Sequence, residues 1–135
     1  MAKIENEFVK NFKIRRKKCA IETLKLCDEM PFKKKSTRII SNKLGRSAIS
    51  IAANYRAVSV ARSDKEFVSK LSITAKEGDE SCFWLEVLDE GEFYPDKERI
   101  RKLHDEADQI TRIISKSRQT MRQRLNKQNI KPKIT

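Results

Sequence analysis

Arg46-Ser-Ala-Ile-Ser-Ile-Ala-Ala-Asn-Tyr-Arg56, running on through Ala57-Val-Ser-Val-Ala-Arg62, is the stretch on which the fold turns. It belongs to a longer apolar series, Ile40, Leu44, Ala48, Ile51, Tyr55 and Val58, whose spacings of 4, 4, 3, 4 and 3 mark one face of an α-helix. Arg46, Ser50 and Asn54 follow at four-residue steps and stack as a polar row beside that face. A polar row so near an apolar stripe is expected to be partly buried, and buried polar groups need partners. Ser47, Ala52 and Ala53 are small, and Gly45 is held in mid-helix at a cost of ~1 kcal/mol relative to Ala. Both features call for a neighbouring helix in close contact.

Working outward, a first helix is expected from Ile4 to Met30 on Phe8, Phe12, Cys19, Ala20, Leu24, Cys27 and Met30, ended by Pro31. Ser36 or Thr37 is expected to cap the second, which runs to Val60 or Ala61. Ser63-Asp-Lys-Glu66 has the form of a capping box. It opens a third helix to Glu90, with Phe67, Leu71, Thr74, Gly78, Cys82 and Leu85 inward. Val68, Phe83, Trp84 and Val87 widen its apolar surface beyond one stripe, which implies more than one neighbour and hints at association between chains. Gly91 stops that helix. After Asp96, Ile100, Leu103, Ala107, Ile110, Ile114, Ser117 and Met121 alternate spacings of 3 and 4, a heptad seam that Leu125 extends. Short connectors make consecutive helices antiparallel. The expected fold is all-α, an up-down-up-down four-helix bundle over residues 1–127, with 128–135 a disordered basic tail.

The length of 135 residues fits one domain. No apolar run approaches the ~18 residues of a membrane span, and the opening residues Met1–Glu7 lack an apolar leader, so a cytoplasmic protein is expected. Cys19, Cys27 and Cys82 have no metal-type spacing and read as small apolar residues. His104, the only histidine, lies one residue off the heptad stripe and reads as a solvated or boundary residue. Glu77, Asp79, Glu80 and Glu86 lack the histidine three residues on that di-iron bundles use. There is neither a phosphate-binding glycine loop nor a zinc motif. No enzymatic activity, metal or cofactor is expected.

The formal net charge is +12. Residues 36–62 hold five Lys/Arg and no Asp/Glu, whereas residues 63–94 hold three Lys/Arg and nine Asp/Glu. Some positive charge is therefore expected to be neutralised internally, most simply by an interhelical pair between Arg56 and Glu77 or Glu80. Arg46, Ser50, Asn54, Arg56, Glu77 and Glu80 would then form one structural polar network. The surplus needs an anionic partner. It concentrates in Lys13, Arg15, Arg16, Lys17 and Lys18 of the first helix and in Arg112, Lys116, Arg118, Arg122, Arg124 and Lys127 of the fourth. Those residues are the candidate phosphate contacts. Because the aromatics fall mostly on apolar stripes, recognition by shape and charge is expected rather than base stacking. Two separate patches are expected, on the view that the start of the first helix and the end of the fourth lie at opposite ends of an antiparallel pair.

Arg46–Arg56, with Ala61-Arg-Ser-Asp-Lys-Glu-Phe-Val-Ser-Lys-Leu71 and Glu77-Gly-Asp-Glu-Ser-Cys-Phe-Trp-Leu-Glu86, resembles the bacterial four-helix bundle proteins linked to intervening sequences in 23S ribosomal RNA genes. The resemblance spans about Ile21 to Arg122. It implies an antiparallel bundle assembled as a barrel-like homopentamer. A related protein is the accessory factor of diversity-generating retroelements, which works with a reverse transcriptase and binds RNA. The resemblance thus implies a non-enzymatic partner of nucleic acid, RNA rather than DNA, or alternatively a scaffold for a reverse transcriptase or another RNA-processing enzyme.

Overall fold

Proline has no N–H and its ring clashes with the preceding turn, and the first helix stops just ahead of Pro31. The structure, a computed structural model, describes residues 7–58 and 60–130. Four helices follow in order: α1 Glu7–Glu29, α2 Lys35–Val58, α3 Asp64–Glu90 and α4 Lys97–Ile130. The expected start of the first helix at Ile4 and most of the expected tail, 131–135, lie outside the described residues. Residues 128–130 continue α4 instead of opening a tail.

The helix ends follow local chemistry, with corrections. The second helix begins at Lys35, ahead of both expected caps. Thr37 Oγ1 instead donates to the carbonyl oxygens of Pro31 and Lys34 and braces the α1–α2 turn. Ser63 Oγ accepts from the Glu66 amide at 3.1 Å, as in a capping box. The return half is shifted by one residue, because the Glu66 carboxylate accepts from the amide of Arg62. Asp96 Oδ1 accepts from the Arg99 amide at the start of α4. Gly91 ends α3 with φ −79°, an ordinary helical value, and the left-handed residue is Glu92 at φ 54°. Gly91 is needed for room: a Cβ there would run into the Phe93 ring.

Neighbours in sequence are neighbours in space. α3 lies extensively against both α2 and α4, and α1 lies against α2 and, least extensively, α4. One apolar cluster gathers Leu26, Met30, Ile40, Leu44, Cys82, Leu85, Leu88, Ile100, Leu103 and Ala107. A second gathers Phe12, Val58, Leu71, Ala75, Ile110 and Ile114. The expected stripes of α2, α3 and α4 supply most of both. Small residues set the spacing. Gly45 faces Leu24 and Cys27 of α1 with room for a methyl group in ordinary contact, so its smallness is not required there. Ser47 and Ser81, both buried, share a 2.7 Å hydrogen bond between α2 and α3. Gly78 faces Thr111 of α4 with no room for a side chain. The remaining buried hydroxyls bond within their own helices: Thr74 to the Lys70 carbonyl and Thr111 to that of Ala107.

α1 and α4 run antiparallel, with Arg15 against Glu106 and Arg99 against Glu29. Three reversals of the chain bring the end of α4 back to the end of the bundle where α1 starts. The expectation of opposite ends is therefore corrected. At 34 residues α4 is about 50 Å long, against about 35 Å for the 23 residues of α1. Its last turns run past the level of Glu7.

All three cysteines are free. Burial pushes Cys19 and Cys27 up to about 11, and burial reinforced by nearby Asp108, Glu86 and Asp79 pushes Cys82 up to about 12. The folded chain thus holds protons that the unfolded chain releases near pH 9. Their contribution is fully present below pH 9 and is lost between pH 9 and about 11 to 12. Thermal melting is expected to show a steep alkaline loss, flattened in a chain with all three cysteines replaced by alanine relative to its own neutral-pH value. Gly78→Ala is expected to lower stability by about 1–3 kcal/mol despite the better helix propensity of Ala. Thr111→Ala in the same chain should recover much of that loss, read as the difference between the two chemical-denaturation midpoints.

Candidate nucleic-acid interface

Of the α1 cations, two are consumed by the fold. Arg15 donates through Nη2 to Glu106 and, at 2.9 Å, to Gln109 of α4. The hydrogen bond to Glu106 raises its pKa. Arg16 lies with its guanidinium carbon 3.8 Å from the centroid of the Tyr55 ring and 5.2 Å from that of Phe12. Its Nε is buried with no hydrogen-bond partner, and burial pulls its pKa below the ordinary arginine value. A planar guanidinium over an arene is a favourable cation–π contact, stronger as it is desolvated. It ties α1 to α2. Lys13, Lys17 and Lys18 are exposed and remain candidates for phosphate.

The cations of α4 are differently placed. Arg112 pairs with Asp108 one turn back, at 3.0 Å. Among the described residues, Lys116, Arg118, Arg122, Arg124 and Lys127 have no carboxylate at ion-pair distance. Sequence explains why: α4 carries no acidic residue after Asp108. Thr111, Arg112, Ser115, Lys116, Arg118, Gln119, Arg122 and Gln123 line an open groove of about 490 Å³, with Asp79 of α3 and Asp108 at one margin. Arginine, lysine, glutamine and serine side chains along a trough offer charge-assisted and neutral donors together, a surface suited to phosphate and sugar oxygens.

Polar residues of the α2 and α3 rows bond within their own helices at Asn54–Ser50 and Trp84–Glu80. Arg46 and Arg56 are exposed. Asn54 Nδ2 donates to the Ser50 carbonyl at 2.9 Å, within its own helix. Glu80 accepts from Trp84 Nε1 at 3.4 Å and Glu77 is half-buried. The hydrogen bond that joins α2 to α3 is Ser47–Ser81, one residue off the expected row. Interhelical arginine–carboxylate pairs form at Arg15–Glu106 and Arg99–Glu29 between α1 and α4, and at Arg101–Asp89 between α3 and α4. His104 is half-buried, a boundary residue as expected, with Nε2 2.8 Å from Glu86 Oε2. Two features escaped the sequence reading: the stacking of Arg16 on Tyr55, and an exposed Phe32 in the α1–α2 turn. The spacing of Pro31 and Phe32, off every stripe, was the available signal for the second.

No helix among the described residues is long and apolar enough to cross a membrane. No protein of curated function matches the chain. A solved structure from Bacteroides thetaiotaomicron, of a protein of unknown function from the S23 ribosomal protein family, is 26% identical. It superposes with a TM-score of 0.69, over 76% of this chain and 94% of that one. The model of the 23S rRNA-intervening sequence proteins matches residues 12–116, and with the four-helix architecture this places the chain in that family.

Proposed function

We propose that the protein acts by binding nucleic acid, RNA in preference to DNA, through phosphate contacts on the second half of α4, as an oligomer and without catalysing a reaction. The observation that carries the reading is the run of cations without carboxylate partners from Lys116 to Lys127, of which Lys116, Arg118 and Arg122 line the groove. Unpaired cations crowded on one helix repel one another, and a polyanion both relieves that repulsion and releases its own counterions. The 23S rRNA-intervening sequence family supports RNA as the anion. Lys13, Lys17 and Lys18 on α1 lie towards the same end of the bundle and extend the positive field.

Association is supported by large apolar side chains left in solvent. Phe83 on α3 is 54% exposed, with its ring edge against Trp84, and Ile14, Ile21 and Ile49 are exposed on α1 and α2. Such a surface fits further copies of the chain, and the family resemblance implies five.

Binding measured by fluorescence anisotropy is expected to weaken steeply between 50 and 300 mM salt; an unchanged affinity would overturn phosphate contact. Arg118→Gln with Arg122→Gln should lower the slope of log affinity against log salt by about 2, roughly 1 per lost phosphate contact. Arg15→Gln should leave that slope intact and lower the melting temperature instead. In sedimentation the chain should run well above its 15.8 kDa monomer mass. Phe83→Lys should shift it towards the monomer with its helical circular dichroism retained, and a wild-type monomer at micromolar concentration would remove the oligomer from the reading.

A further inference from the structure

The turn between α1 and α2, Pro31-Phe32-Lys33-Lys34-Lys35, lies at the end of the bundle away from the α4 groove. Phe32 is 73% exposed and packs in neither core cluster. Its position is nevertheless fixed. The Thr37 hydroxyl holds the carbonyls of Pro31 and Lys34 on either side of it, and the Met30 amide closes back on Cys27. The Arg38 guanidinium carbon lies 5.6 Å from the ring centroid, within cation–π range. A ring braced in this way loses little conformational entropy when a second flat group stacks on it.

The charge around the ring is one-signed along α2. No acidic residue occurs from Lys33 to Arg62. Lys33, Lys34, Lys35, Lys43 and Arg46 are exposed, with no carboxylate at ion-pair distance among the described residues. Lys35 and Arg46 are three turns apart on one side of the helix, about 16 Å along its axis at 1.5 Å per residue. The cations therefore run lengthwise up the bundle from Phe32.

We propose that Phe32 is a stacking platform for a base of single-stranded nucleic acid, whose phosphates are carried along α2 by Lys33, Lys34, Lys35, Lys43 and Arg46. The proposal rests on nucleic acid being the partner, but it assigns a site separate from α4 and a different form of ligand. Within a duplex both faces of each interior base are already stacked, so Phe32 could reach one only by unstacking it. A single strand presents free base faces at the phosphate spacing of a flexible chain. A bilayer meets the same ring and the nearest lysines, but a flat surface against the turn leaves Arg46 up the side of the bundle unused. The lengthwise track favours the strand.

The test compares a 12-nucleotide single-stranded RNA, the same RNA with abasic positions, and a 12-base-pair RNA duplex, all at 50 mM salt. Phe32→Ala is expected to weaken single-strand binding about 5- to 100-fold, the range of losing one stacked base. Duplex affinity and melting temperature should hold, because Phe32 is outside the core. Phe32→Trp should restore single-strand binding. Abasic substitution should weaken wild-type binding and leave Phe32→Ala almost indifferent. Equal single-strand affinity of wild type and Phe32→Ala would overturn the platform while leaving the α4 reading intact. A duplex loss confined to the Arg118→Gln/Arg122→Gln protein reports on α4 alone. Vesicles of phosphatidylserine and phosphatidylcholine form the last arm. If Phe32→Ala weakens vesicle binding but not RNA binding, the site belongs to a membrane and the proposal fails. If wild type binds neither RNA, both readings fail together.

Discussion

α3 can stand against two partners because it shows each of them a small side chain. Gly78 meets Thr111 of α4 where no Cβ fits, and Ser81 shares its hydroxyl with Ser47 of α2. Close approach gains dispersion contacts along the whole length of both seams, and it leaves no slack for the helices to slide. The register set at these points places the heptad seam of α4 over Leu71, Ala75 and Leu85. It also decides which face of α4 is left to solvent, and that face carries the cations. A bulkier residue at position 78 would force α3 and α4 apart at Thr111.

The bundle was legible because helical periodicity reports angle around an axis directly. Ile40, Leu44, Ala48 and Val58 are buried as the spacing implies, as are Ile100, Leu103, Ala107, Ile110 and Ile114. The capping signals at Ser63 and Asp96 were equally readable, since they depend on residues three apart. The polar row of α2 closes partly on its own backbone, for a physical reason. Hydroxyl and amide side chains on a helix have a carbonyl of their own helix within reach, and Asn54 takes that of Ser50 instead of crossing to α3. Long-range pairs such as Arg15–Glu106 depend on axial register between helices 91 residues apart, which no single-helix pattern encodes. The error over the two basic runs was one of geometry: after three reversals, first start and last end coincide.

Positive charge is thus sorted by the fold rather than spread over it. Arg15 and Arg99 are spent on α1–α4, Arg16 on an aromatic face, and Arg101 on Asp89. Cations without a carboxylate partner remain on α1 at Lys13, Lys17 and Lys18, and gather on α2 and the second half of α4. A formal sum of +12 conceals this division, because an arginine against a carboxylate or an arene offers a polyanion much less than a solvated one does. Of the two sets, that on α4 borders a groove and that on α2 borders an exposed ring.

The α1–α4 seam has the least extensive packing in the bundle, and half-exposed ion pairs tie it at Arg15–Glu106 and Arg99–Glu29. Pairs of this kind contribute at most about 1 kcal/mol each and weaken as salt rises. Local opening therefore starts at this edge, with α1 swinging out about its better contact with α2 while α2, α3 and α4 stay closed. Each such excursion bares Cys19 and the inner side of the bundle for as long as it lasts. Higher ionic strength is therefore expected to raise hydrogen exchange along this one seam first.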